Sequence, residues 1–148
     1  MSITFKIKRF NELSASELYQ ILKLRSEVFV VEQNCVYQDL DGKDDKALHL
    51  FGESEGGMVA YARLFDKQVY FDNASIGRVV VSPKFRDRKY GHDLMREAIA
   101  AIQDNFNETA ITISAQLYLQ RFYESHGFVT EGLTYLEDDI PHIRMKKE

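Results

Sequence analysis

Residues 79–95, VVVSPKFRDRKYGHDLM, carry the densest chemical signal in the sequence. An apolar run meets Pro83, passes into a turn holding Arg86, Arg88 and Lys89, and continues into a helical pattern at Gly91. Unpaired N–H groups in such a turn and at a helix N-terminus attract anions, and the helix dipole adds partial positive charge. The three cations reinforce that field, and Gly91, lacking a Cβ, lets the backbone approach a ligand closely. A diphosphate would fit there. Taken by itself, the basic segment 86–89 reads first as a solvated turn, so its context has to decide.

Two other chemistries fail on spacing. Asp39, Asp41, Gly42, Asp44 and Asp45 echo a calcium loop, but with Gly42 as its sixth position Tyr37 falls at the first and Leu48 at the twelfth. His49, His92, His126 and His142 have no metal-ligand spacing. Cys35, the only cysteine, has no partner and no local signature of a thiol enzyme. No metal is expected.

The elements that must position the basic turn follow from periodicity. Ile3, Phe5, Ile7 and Phe10 alternate as an opening strand. Ser14 and Glu17 make a capping-box pattern, and Leu18, Ile21, Leu22, Arg25, Val28 and Phe29 then share one helical face. Over 32–47 the periodicity fails and aspartates cluster, which predicts a loop with at most one short helical turn. Residues 48–53 and 58–65 flank a Glu-Gly-Gly turn and predict a hairpin. IGRVVV at 76–81 is β-branched and nearly unbroken, the pattern of a central strand buried on both faces. A helix is predicted over 91–106, a strand over 110–115, a helix over 117–125, and strands over 128–136 and 143–147. The order β α βββ α β α ββ predicts an α/β fold with a mixed, mostly antiparallel sheet of about seven strands and helices on both faces.

Composition sets outer bounds. A length of 148 residues suits one domain over 1–148, and 45% hydrophobic with 28% charged residues is ordinary for a globular protein. A net charge of −4 with mixed signs argues against a nucleic-acid surface. The N-terminus alternates apolar and basic residues, unlike a signal peptide, and no run approaches the roughly 18 apolar residues of a membrane helix. With one cysteine, a reducing cytoplasmic setting is expected.

The chain resembles the GNAT (GCN5-related N-acetyltransferase) superfamily over essentially its whole length. Arg86, Lys89 and Gly91 follow an apolar strand ending in proline, like that family's acetyl-CoA signature, with Lys89 standing where the pattern has its first glycine. Without glycine there, the local φ is expected to be negative or the backbone mildly strained. Gln116, Leu119, Phe122, Tyr123, Gly127 and Phe128 are similar to the family's second motif. Residues 28–41, IGRVVVS, the Ala-Gln-x-x-Leu-Gln-x-Phe-Tyr segment and the Ile-Pro-His-Ile segment at 140–143 look like the ElaA-type branch.

The resemblance implies an acyltransferase that moves an acetyl group from acetyl-CoA to an amine, small molecule or peptide, by direct attack. Acetyl-CoA would lie where the strand at Val79, Val80 and Val81 splays from the strand ending near Gln116. Main-chain groups of Val79 and Val81 would pair with the pantetheine arm, and the Val81 N–H would polarise the thioester carbonyl. The turn of Arg86, Asp87, Arg88, Lys89, Tyr90, Gly91 and His92 would hold the diphosphate. Tyr123 would protonate the departing thiolate. Base candidates are Glu32, Asp39, Asp41, His49 and His142, with Glu32 at a helix end where burial would raise its pKa. Asp39 and Asp41 would favour a cationic acceptor, and His142 would lie near it. Dimers are common in the family. A non-catalytic CoA-binding module and a purely structural subunit are the alternatives.

Overall fold

The computed structural model describes residues 2–148. Its strands are β1 (Thr4–Arg9), β2 (Leu48–Ser54), β3 (Gly57–Phe65), β4 (Ala74–Val81), β5 (Ile111–Gln116), β6 (Val129–Glu137) and β7 (Ile140–Lys147). Its helices are α1 (Ala15–Arg25), α2 (Tyr90–Phe106) and α3 (Gln120–Glu124). The strands form one mixed sheet in the order β1-β2-β3-β4-β5-β7-β6, antiparallel throughout except for the parallel contact of β4 with β5. The α/β architecture is therefore the expected one, with β4 at its middle.

Local chemistry explains most of the boundaries. Ser14 Oγ accepts from the Glu17 N–H at 3.0 Å, and the Glu17 carboxylate accepts from the Ser14 N–H at 2.8 Å, closing the capping box that starts α1. The helix runs on through a wider π-helical turn, Ser26–Glu32. The β2–β3 hairpin turns through Glu55 (φ 53°) and Gly56 (φ 80°), the paired left-handed residues that a tight hairpin turn requires. Several boundaries differ from expectation, β4 beginning at Ala74 instead of 76. Phe10 belongs to a 3-10 turn, Phe10–Glu12, rather than to β1. The second short helix opens as a 3-10 turn, Leu117–Leu119, before α3. The closing strand begins at Ile140 instead of 143.

Two cores sandwich the sheet. On one face α2 buries Leu94, Met95, Ala98, Ala101 and Ile102 against Leu50, Ala62, Leu64, Ile113 and Met145. On the other, α1 and its π-helical extension set Ile21, Leu24, Val28 and Phe29 against Phe51, Tyr61 and Val80. Each large side chain fully buried this way stabilises the fold by about 1.5–3 kcal/mol, so both helices are held firmly against β4.

Strand β4 is not buried along its whole length. Ala74, Ser75, Ile76 and Val80 are buried, whereas Gly77, Arg78, Val79 and Val81 are partly exposed. The reason lies in its neighbours: β5 pairs with β4 only at Ala74↔Ile111 and Ser75↔Thr112 before the strands part. Arg78 also adopts φ 50°, opposite a register shift in β3 between Tyr61 and Arg63. Left-handed backbone costs a non-glycine residue about 1–2 kcal/mol, so the bulge at Arg78 is held by the contacts around it.

Candidate active site

The parting of β4 and β5 opens a cavity of about 520 Å³, within the usual range for a small-molecule site. Gly77, Arg78, Val79, Val80 and Val81 form one wall, and Ile113, Ser114 and Gln116 form the other. Gln33 and Gln116 exchange amide hydrogen bonds of 2.9 and 3.3 Å, tying the end of the α1 segment to β5. The main chain of the wedge follows from strand alternation. Ser82 N–H donates to Val59 O at 2.7 Å and Val80 stands opposite Tyr61, so the N–H and C=O groups of Val79 and Val81 turn away from β3 toward the open edge. An extended ligand lying there would meet them as the next strand once Arg86 Nε releases the Val81 C=O, to which it donates at 3.2 Å.

The basic turn sits at one end of the cavity. Residues Pro83–Arg88 form a 3-10 turn, and Lys89 caps α2 with φ 60° and ψ 25°. Of the two backbone states open to a lysine replacing the motif glycine, the strained left-handed one is adopted. Arg86, Lys89, Gly91 and His92 line the cavity. Asp87, Arg88 and Tyr90 do not: Arg88 donates to Glu55 at 2.7 Å and stacks over Phe85, while Tyr90 is buried beside Phe85. A methyl group at Gly91 would stand 3.5 Å from the Phe122 ring, an ordinary contact, so the packed protein alone does not demand glycine there.

Glu32 meets Arg86 across this turn in a bidentate pair, with both N–O distances 2.6 Å. The expected burial is missing: its side chain is 38% exposed, and the hydrogen bond from Arg86 holds its carboxyl below the usual carboxylate value. A base needs the opposite shift, so the sequence-based role for Glu32 does not fit this arrangement.

The aspartate loop is also different from expectation. Asp39 is 4% exposed and accepts from Arg25 Nε at 2.9 Å and from Arg78 Nε at 2.7 Å. Asp41 accepts from both Arg63 Nη atoms at 2.8 Å, and Asp44 accepts from Arg25 at 2.8 Å and Arg63 at 3.0 Å. Three arginines thus neutralise three aspartates inside the fold. Burial opposes ionisation of Asp41 and Asp44, and the arginines more than offset it, leaving both carboxyls below their ordinary value. Neither Asp39 nor Asp41 lines the cavity, and each carboxylate is already paired with arginine. Arg63 Nε is the one buried side-chain polar atom without a hydrogen-bond partner among the described residues.

His49 is fully buried and outside the cavity. Its Nε2–H donates to Asp44 O at 2.8 Å and its Nδ1 accepts from Tyr61 Oη at 2.6 Å, an assignment fixed by the carbonyl partner. Burial lowers its pKa, and both nitrogens are occupied. His142 does line the cavity, with Nδ1 donating to Ile140 O at 2.7 Å. Tyr123 lines it too. The residue is 6% exposed, its ring stands edge-on to Phe122 and Phe128, and no described side chain bonds its hydroxyl. Burial, with Tyr118 nearby, pushes the phenol above its ordinary pKa, so it keeps its proton at neutral pH.

Several cavity residues carried no sequence signal of their own. Phe65, Tyr70 and Phe71 form an aromatic wall, and Gln33, Arg78 and Glu137 add polar groups. Arg63, also on the wall, and Arg25, outside the cavity, did carry one: a lone cation inside an apolar helical face or strand requires a buried anion, and the aspartate cluster is its partner. Among the described residues no group of three or more His, Cys, Asp or Glu is arranged to hold a metal ion. No helix is long and apolar enough to cross a membrane.

A family model described as the acetyltransferase (GNAT) domain matches residues 11–148. The protein ElaA of Escherichia coli is 42% identical over 93% of this chain and 92% of its own length, and the solved ElaA structure superposes with a TM-score of 0.92. A structure of an acyl-CoA N-acyltransferase from Pseudomonas aeruginosa is 42% identical, covers 99% of this chain and 100% of its own, and gives a TM-score of 0.93. An aminoglycoside 6′-N-acetyltransferase complexed with coenzyme A shares the fold at 14% identity and a TM-score of 0.72. The splayed strands, the basic turn at the start of α2 and these likenesses agree: the chain belongs to the GNAT acetyltransferase family, among the relatives of ElaA.

Proposed function

We propose that the protein transfers an acetyl group from acetyl-CoA to a primary amine of a small molecule or peptide, by direct attack of the amine on the thioester. The observation that carries this reading is the wedge itself: the main-chain groups of Val79 and Val81 turn toward an open cavity whose wall also holds a buried, protonated Tyr123. Pantetheine would lie along β4 as an added strand. The Val81 N–H would stabilise the charge that develops on the thioester oxygen, a contact that gains strength in a site shielded from water. Tyr123 would give its proton to the CoA sulfur as the C–S bond breaks. Arg86 and Lys89, with the turn and helix N-terminus, would meet the diphosphate, and Arg86 would exchange Glu32 for phosphate oxygens. The coenzyme A bound by the aminoglycoside acetyltransferase of the same fold supports the choice of donor.

The test begins with the melting temperature in the presence of acetyl-CoA. At 100 times its dissociation constant a ligand of the folded state adds about 2.7 kcal/mol, and the shift is expected to shrink in Arg86→Ala. Free-thiol release with primary amines then reads turnover, which Tyr123→Phe is expected to lower while leaving the melting shift intact. A melting shift with no thiol release from any amine would instead favour a non-catalytic CoA-binding module, and no shift would remove both readings.

A further inference from the structure

We propose that His142, backed by Glu137, accepts the proton of the attacking amine, an assignment that rests on the acyl-transfer reading above. His142 is 6% exposed, yet its ring forms part of the cavity wall. The hydrogen bond from Nδ1–H to Ile140 O at 2.7 Å sets the tautomer and leaves Nε2 as the proton-accepting nitrogen. Nε2 lies 3.5 Å from Glu137 Oε2. Glu137 in turn accepts from Ser114 Oγ at 3.3 Å, and the Ser114 hydroxyl also bonds the Tyr135 hydroxyl. The Tyr135 ring stacks on the imidazole with centroids 6.1 Å apart. A histidine whose proton is directed to a carbonyl, whose bare nitrogen faces a carboxylate, and whose ring is clamped in a cavity wall is arranged to take up a proton.

Register creates this grouping. His142 on β7 stands between Gln116 of β5 and Tyr135 of β6. Glu137 and Tyr135 of β6 contact its ring, and Asp138 from the turn, the uncharged Ser114 and Gln116 from β5, and Tyr70 line the same cavity. Of the other candidates, Asp39 and Asp41 are held by arginines, His49 is engaged at both nitrogens, and Glu32 lies outside the cavity wall.

In the step, the amine nitrogen attacks the thioester carbon. The C–N bond forms, the C–S bond breaks, and the surplus proton on nitrogen passes to His142 Nε2. The sulfur leaves with the Tyr123 hydroxyl proton, and exchange with solvent resets the imidazolium and phenolate. Glu137 is a positioning residue that stabilises the imidazolium.

The experiment uses the full chain with acetyl-CoA and benzylamine, a primary amine whose ring matches the wall of Phe65, Tyr70 and Phe71. His142→Gln is expected to lower kcat about 100-fold, the low end of a general-base effect. KM for acetyl-CoA stays within about twofold. Glu137→Gln, which keeps the shape and the Ser114 hydrogen bond but removes the charge, is expected to lower kcat about tenfold with the same KM. Thiol release that is unchanged in His142→Gln overturns the assignment, and absence of release from the unmodified protein counts against the transfer reaction itself. Nitrogen-15 NMR of the His142 ring reads the tautomer whether or not benzylamine is acetylated: an Nδ1–H imidazole supports the assignment, and an Nε2–H imidazole overturns it alone.

Discussion

The molecule contains two sets of arginine–carboxylate pairs that look alike in sequence and behave as opposites in the fold. Arg25, Arg63 and Arg78 with Asp39, Asp41 and Asp44 lie between α1, the sheet and the loop, with Arg25, Arg63 and Asp39 almost fully buried and the Arg78 and Asp41 side chains 19% and 22% exposed. Arg86 and Glu32 meet at the rim of the cavity with side chains 44% and 38% exposed. Removing one member of a sealed pair strands a charge without water, whereas an exposed pair can exchange partners at little cost. The first set therefore holds the loop and the bulge at Arg78 in place, and the second is free to trade its carboxylate for a phosphate.

Breaking the sealed set should have the largest effect. Asp39→Ala leaves Arg25 with Asp44 alone and Arg78 without its 2.7 Å partner, and is expected to cost about 3 kcal/mol in urea unfolding, the low end of the range for breaking a buried pair. A loss below about 1 kcal/mol would mean that water reaches the cluster.

Acid should come next. The folded-state pKa values of Asp41 and Asp44 lie below their unfolded values, so their stabilisation is present above about pH 4 and is lost as pH falls through the folded values. His49 is also depressed, by burial, so the unfolded chain binds its proton first and stability begins to fall below about pH 6.5. Urea midpoints across that range should decline in two stages, and His49→Gln should flatten the upper one. Midpoints that hold steady down to about pH 4 would contradict the buried, neutral state of His49.

The exposed pair should respond least. Glu32→Gln is expected to change stability by less than about 1 kcal/mol, as for surface ion pairs. Acetyl-CoA binding should tighten by a few fold at low salt as Arg86 is released, with the gain fading at high salt. Weaker binding in this variant, measured by titration calorimetry, would show that Glu32 holds Arg86 in place for the ligand instead of competing with it.

Much of the fold was legible because it rests on local rules. The Ser14–Glu17 capping box, the Glu55–Gly56 turn and the apolar spacing of α2 each state an interaction between residues a few positions apart. The basic turn and Tyr123 were legible only through family motifs, since a cationic turn and a buried tyrosine are common for other reasons. Glu32, Asp39 and Asp41 misled for one cause: a carboxylate in a sequence does not announce its partner. Arg86 is 54 positions from Glu32 and Arg78 is 39 from Asp39. Glu137 was silent because only the β6–β7 pairing sets it beside His142.

By itself the sequence determined the order of elements, the two amphipathic helices, the central place of β4 and the family motifs at Arg86, Gly91 and Tyr123. All of these depend on side-chain type and short-range spacing. Tertiary structure alone decided where β4 and β5 part, which main-chain groups face the gap, which carboxylates are neutralised and which histidine stands beside Glu137 on the cavity wall. Those outcomes depend on strand register and burial, because a charge or a proton acceptor takes its chemistry from groups that only the folded chain brings near.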